Sequence, residues 1–91
     1  MPKLKEISLE FQDKIVILTG AAGGIGAALA REFAGRGARL ALCDLNAAAL
    51  EALSGELGAL HMVCDVTVES HIQALVAEVE ARLGPVDIFF S

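Results

Sequence analysis

The chain of 91 residues has no tyrosine, only two cysteines and two prolines, and seven basic residues against twelve acidic ones. Each shortage closes off a class of function. Without tyrosine, no phenol among these residues serves as a proton donor. With a net charge of −5 and no cluster of Lys or Arg, there is no basic surface to neutralise the phosphates of a nucleic acid. No apolar run approaches the roughly 18 residues that a membrane-spanning helix needs. The opening stretch, MPKLKEISLEFQDK, lacks the apolar core of a secretory signal, so a cytoplasmic location is expected. Cys43 and Cys64 form no C-x-x-C pair, and His61 and His71 stand singly, so neither a zinc nor a redox motif is present. The two cysteines are expected to be buried, reduced thiols, and whether they meet is left open.

The hydrophobic content is 55%, with 21% charged residues, which excludes a disordered segment and leaves room for one small domain. Four almost continuously apolar runs recur: KIVILT (14–19), RLALCD (39–44), LHMVCD (60–65) and VDIFFS (86–91). Strands covered on both faces read this way, whereas half-exposed strands alternate. Helical spacing fills the intervals. In 24–36, Ile25, Leu29 and Phe33 share one face. In 46–57, Asn46 caps a stripe of Leu50, Leu53 and Leu57. In 67–83, Thr67 caps a stripe of Ile72, Leu75, Val76, Val79 and Leu83, and the Gly84-Pro85 pair ends it. The order β-α-β-α-β-α-β predicts an α/β fold of Rossmann type, a parallel sheet with right-handed crossovers and strand order 3-2-1-4. Residues 1–12 are expected to be a lead-in, and 13–91 a dinucleotide-binding portion.

The four runs end at Thr19, Asp44, Asp65 and Ser91, which puts a polar residue at the carboxyl end of every strand. Open α/β sheets bind ligands at that edge, where the strand order reverses. Beside it, TGAAGGIG (19–26) gathers four of the nine glycines. Gly20 lets the chain turn off the first strand, and Gly24 and Gly26 clear side chains from the start of the following helix. The free N–H groups and positive dipole end of that helix suit a pyrophosphate. A tight turn with no ligand would account for one of these glycines but not four. Asp44 closes the second strand roughly twenty residues further on, where dinucleotide sites carry an acid for the adenosine ribose. Its carboxylate would repel a 2′-phosphate, and no Arg or Lys in the glycine loop or just after Asp44 offsets that, so NAD(H) is favoured over NADP(H). A charge placed near the helix that starts at Asn46 is the competing explanation of Asp44.

The spacing Thr19-Gly20-x-x-x-Gly24-x-Gly26 resembles the T-G-x-x-x-G-x-G pattern of the short-chain dehydrogenases/reductases. CDLN at 43–46 is similar to that family's acidic end of the second strand, CDVT at 64–67 to its D-V segment, and GPVDIFFS to the approach to its N-N-A-G motif, with Ser91 at the first Asn position. The resemblance runs from about Phe11 to the last residue. It implies cofactor contacts at Gly20, Gly23, Gly24, Ile25 and Gly26 for the pyrophosphate region, at Asp44 and Leu45 for the ribose, and at Asp65 and Val66 for the adenine. It also implies hydride transfer between a nicotinamide cofactor and a carbonyl/alcohol substrate, in a homo-oligomer.

The family's catalytic Ser and Tyr-x-x-x-Lys find no counterpart here, so no catalytic residue is assigned. The arrangement also predicts one sheet face covered by a single helix and an unprotected apolar edge at Ile88, Phe89 and Phe90. These features lead to the expectation of an N-terminal portion of a longer enzyme. Two other readings stay open: a non-catalytic dinucleotide-binding or interaction fragment, and part of an S-adenosylmethionine-dependent methyltransferase.

Overall fold

A computed structural model describes residues 11–91. The expected lead-in at 1–12 therefore falls almost wholly outside the described residues. Among the described residues, four strands and three helices alternate: β1 (Ile15–Thr19), α1 (Gly24–Gly35), β2 (Arg39–Asp44), α2 (Ala47–Leu57), β3 (Leu60–Val63), α3 (Glu69–Arg82) and β4 (Ile88–Phe90). The strands form one parallel sheet in the order β3-β2-β1-β4, as the alternation predicts. β1 pairs with β2 from Ile15↔Arg39 to Thr19↔Cys43, and with β4 from Val16↔Ile88 to Leu18↔Phe90.

Strand pleating divides the buried residues into two cores. Val16, Leu18, Leu40 and Leu42 face α1 and α2, where they meet Ala30, Leu50 and Leu53. Ile15, Ile17, Ala41 and Cys43 face α3, where they meet Leu75 and Val79. Both faces of β1 and β2 are covered, which is why their sequences do not alternate. Leu50 is fully buried, and such burial contributes roughly 1.5–3 kcal/mol. The outer edge of β4 is different: Phe89 and Phe90 remain 44% and 42% exposed.

Several local expectations need correction. Strand β3 stops at Val63 rather than Asp65, because the chain turns toward α3 once Val63 has paired with Asp44. Helix α3 begins at Glu69 with Val68 as its cap residue and no side-chain cap. Thr67 does not cap it, since its hydroxyl is bonded to Asp65 instead. Ile25 is 82% exposed and does not join the buried stripe of α1. It lies in the first helical turn, beyond the carboxyl edge of the sheet, where no element covers it; Leu29, Ala30 and Phe33 make the contact. Asn46 does cap α2, its side-chain oxygen accepting the Ala49 N–H at 3.2 Å.

The two cysteines are not free thiols. Cys43 and Cys64 are joined in a disulfide, with Cα atoms 6.0 Å apart. Cys43 pairs in register with Met62, and Cys64, two residues further on, returns to the same sheet face. That diagonal brings both sulfurs into the core under α3.

Candidate functional site

The site forms where the strands end. The chain leaves β1 through Gly20, whose φ of +65° lies in the left-handed region that glycine adopts without strain. The loop then crosses to β2 and is fastened there twice. Ala21 donates its N–H to the Cys43 carbonyl at 3.1 Å, and Ala22 donates its N–H to Asp44 Oδ2 at 3.0 Å. Gly23 closes the turn on the Gly20 carbonyl at 3.3 Å and serves as the cap residue of α1, with no side-chain cap. The N–H groups of the first α1 turn therefore have no carbonyl of their own helix to reach and no capping side chain over them.

The four loop glycines separate by cause. A Cβ on Gly26 would overlap the Gly20 carbonyl oxygen and sit 2.8 Å from the carbonyl carbon, so this position is closed by the chain itself. A Cβ on Gly24 would meet nothing within 4 Å, and one on Gly23 only the Gly20 oxygen at an ordinary 3.6 Å. The fold thus demands glycine at 20 and 26 and makes no such demand at 23 and 24.

Asp44 ends β2 with both carboxylate oxygens engaged: Oδ2 by the Ala22 N–H and Oδ1 by the Asn46 N–H at 2.9 Å. The carboxylate is locked in place between the glycine loop and the start of α2. Each oxygen retains a second lone pair to accept from a ligand hydroxyl. Beyond β3, Asp65 Oδ1 accepts from the Thr67 N–H at 2.9 Å and the Thr67 hydroxyl at 2.6 Å. Among the described residues no donor reaches Asp65 Oδ2. The Thr67 hydroxyl and then its N–H hold the Asp65 carboxyl below the usual range against the opposing effect of desolvation, and the nearby His71 adds a smaller electrostatic pull. On the other side of β1, Thr19 donates its hydroxyl to Ser91 Oγ at 3.1 Å, which joins two further strand ends.

Gly20, Asp44, Leu45, Cys64, Asp65, Val66 and Thr67 line a cleft of about 230 Å³. Five of the nine residues expected at the site share it: Gly20, Asp44, Leu45, Asp65 and Val66. Gly23, Gly24, Ile25 and Gly26 lie outside it, on the adjoining loop and helix end. Ile25, Leu45 and Val66 are exposed apolar side chains around this edge that no core contact explains. A larger cavity of about 380 Å³ lies elsewhere, between α3 and the edge strand β3, lined by Met62, Leu75, Val79 and Arg82 among others. Three features of the site are absent from the sequence reading: the disulfide beneath the cleft, the Ala22 bond to Asp44, and the His71 contact with the Asp65 backbone. Only the last leaves a sequence trace, a histidine in the first turn of the helix that follows the D-V segment.

The short chain dehydrogenase sequence profile matches residues 14–91. The chain belongs to the short-chain dehydrogenase family. Among curated relatives, D-threitol dehydrogenase of Mycolicibacterium smegmatis is 41% identical over 97% of this chain and 37% of the relative. L-fucose dehydrogenase of Oryctolagus cuniculus is 42% identical over 85% of this chain and 28% of the relative. A crystal structure of a short-chain dehydrogenase/reductase from Burkholderia phymatum in complex with NAD superposes with a TM-score of 0.84 at 32% identity, over 88% of this chain and 30% of that one. This short-chain dehydrogenase chain thus spans about a third of the length of the curated relatives it matches.

Among the described residues, no helix is long and apolar enough to cross a membrane, and no group of three or more His, Cys, Asp or Glu gathers as a metal site.

Proposed function

We propose that residues 13–91 form the dinucleotide-holding unit of an oxidoreductase that moves hydride between a nicotinamide cofactor and a carbonyl or alcohol carbon. The observation that carries this is the pairing of two unexplained features at one sheet edge. Gly23 and Gly24 leave the start of α1 bare where the fold has no need of it, and Asp44 is fixed beside that loop with acceptor capacity to spare. The α1 N–H groups would hold the pyrophosphate, Asp44 the adenosine ribose, and Asp65 with Val66 the adenine, whose amino group suits the open Asp65 Oδ2. When bound, the nicotinamide supplies the hydride chemistry, and the chain's part is to hold and orient it. The Burkholderia relative, solved with NAD, supports this reading.

NAD(H) is preferred over NADP(H). Asp44 would face a 2′-phosphate with an ionised carboxylate already held by two N–H groups, and no Arg or Lys lies in the loop or directly after it to compensate. The test is a fluorescence titration of the full chain with NADH and NADPH, aided by the absence of tryptophan and tyrosine. Tighter binding of NADH supports the proposal. Tighter binding of NADPH refutes the preference, and binding of S-adenosylmethionine with no response to either dinucleotide refutes the assignment.

A further inference from the structure

The connection from β3 to α3 is irregular, so local bonds must set its shape. Most of them stay within the connection: Thr67 donates twice to Asp65 Oδ1, and the Val68 N–H reaches the Asp65 carbonyl at 3.0 Å. One bond does not. The Asp65 N–H donates to Nδ1 of His71, in the first turn of α3, at 3.0 Å. This is the side-chain tie between the helix and the peptide that presents Asp65 and Val66 to the cleft.

We infer that His71 is a positioning residue for the adenine end of the site, and that its protonation weakens dinucleotide binding. The inference rests on the dinucleotide reading given above. To accept the Asp65 N–H, Nδ1 must carry no proton. A protonated imidazole has two donors and no acceptor, so the tie to the Asp65 peptide breaks. The charged groups near His71 then decide where the ring goes. From the connection, the Asp65 carboxylate attracts it; on α3 itself, Glu69 lies two residues before it, while the positive end of the helix dipole opposes the added charge. Asp44 is the other carboxylate lining the cleft. The imidazolium is drawn to Asp65, whose Oδ2 is the oxygen left open for an adenine amino group. Protonation therefore removes the Asp65 N–H's acceptor and occupies the open carboxylate oxygen at once, and both changes act against the ligand.

The test uses ADP-ribose and the full chain, by calorimetry, with His71→Ala and His71→Asn. Asparagine Oδ1 stands the same number of bonds from the backbone as histidine Nδ1; it accepts the Asp65 N–H and does not titrate. In alkaline buffer, H71A is expected to bind about threefold to tenfold more weakly, the worth of one lost hydrogen bond. H71N is expected to stay within about twofold of wild type. On acidification wild-type affinity falls while that of H71N, which does not titrate at this position, holds nearly level. Wild-type-like binding by H71A, or the same pH slope in H71N as in wild type, overturns the inference and leaves the dinucleotide reading intact. No binding of ADP-ribose by the wild type at any pH overturns both.

Discussion

Gly24→Ala and Gly26→Ala are the same change, two residues apart in one helical turn, and should shift stability in opposite directions. At position 26 the new methyl overlaps the Gly20 carbonyl oxygen and lies 2.8 Å from the Gly20 carbonyl carbon and 3.0 Å from Ala21 Cα. Carbon atoms ordinarily rest about 3.5–4.0 Å apart, and the overlap with the oxygen is tighter still, so the loop must move by about an ångström or more. It is not free to move, because Ala21 and Ala22 are bonded to Cys43 and Asp44. Overpacking of this kind costs about 1–3 kcal/mol. A displaced loop also gives up one hydrogen bond worth about 1 kcal/mol. The better helix propensity of alanine returns at most about 1 kcal/mol, leaving G26A destabilised by about 1–3 kcal/mol. At position 24 the methyl meets nothing within 4 Å, and the same propensity makes G24A neutral or more stable by up to about 1 kcal/mol. Urea denaturation without ligand measures both, and in a domain of this size 1 kcal/mol shifts Tm by about 4–8 °C. NADH titration of G24A then asks what the bare surface is for, with a loss of affinity expected because the methyl stands where the phosphates would approach. A G26A variant as stable as wild type would refute the steric argument; unimpaired binding by a stable G24A would refute the placing of phosphate at this helix end.

Removing the Asp44 carboxylate in Asp44→Ala leaves the Ala22 and Asn46 N–H groups without their acceptor, and the unliganded chain should lose about 1–3 kcal/mol in denaturant; unchanged stability would mean that the carboxylate does not hold the loop. Because folding lowers the Asp65 pKa, its carboxylate contributes stability that is complete above the ordinary carboxylate range and lost as pH falls through the lowered value. The stability gap between wild type and Asp65→Asn should accordingly hold steady near neutrality and close in acid, and a gap that widens in acid would contradict the sign. Reducing the Cys43–Cys64 disulfide, which closes a separation of 21 residues, should cost about 3 kcal/mol, read as a lower denaturation midpoint in dithiothreitol; an unchanged midpoint would count against the cross-link.

The sheet order was legible because its signals are local and repeated: continuous apolar runs, helical spacing between them, and a polar residue closing each run. The Asn46 cap was legible for the same reason, since a cap and its helix are neighbours in sequence. Ile25 shows the limit of periodicity, which gives the face of a helix but not how far the helix projects past the sheet. Thr67 shows another limit, because a hydroxyl at a helix start has more than one acceptor within reach and here takes Asp65. The cysteine pair depends on strand register, and register fixes which side chains meet diagonally only after Cys43 is paired with Met62. Asp44 and Asp65 were legible as candidate ligand groups, whereas the N–H groups that orient them depend on loop paths no spacing rule specifies.

Strand order also bears on how the chain assembles as it is made. Among the described residues β1 is the first strand in sequence, yet it lies inside the sheet, and one of its neighbours is β4. Contacts between them span 72 residues, including the Ile15 N–H to Asp87 at 2.9 Å and Thr19 to Ser91. Until residues 88–90 have left the ribosome, one side of β1 has no partner, and its hydrogen-bonding groups stay open to any passing strand. Long-range parallel pairing of this kind is slow to form and exposes the chain to association while it waits. Translation speed over the α3 segment therefore sets how long that open edge persists.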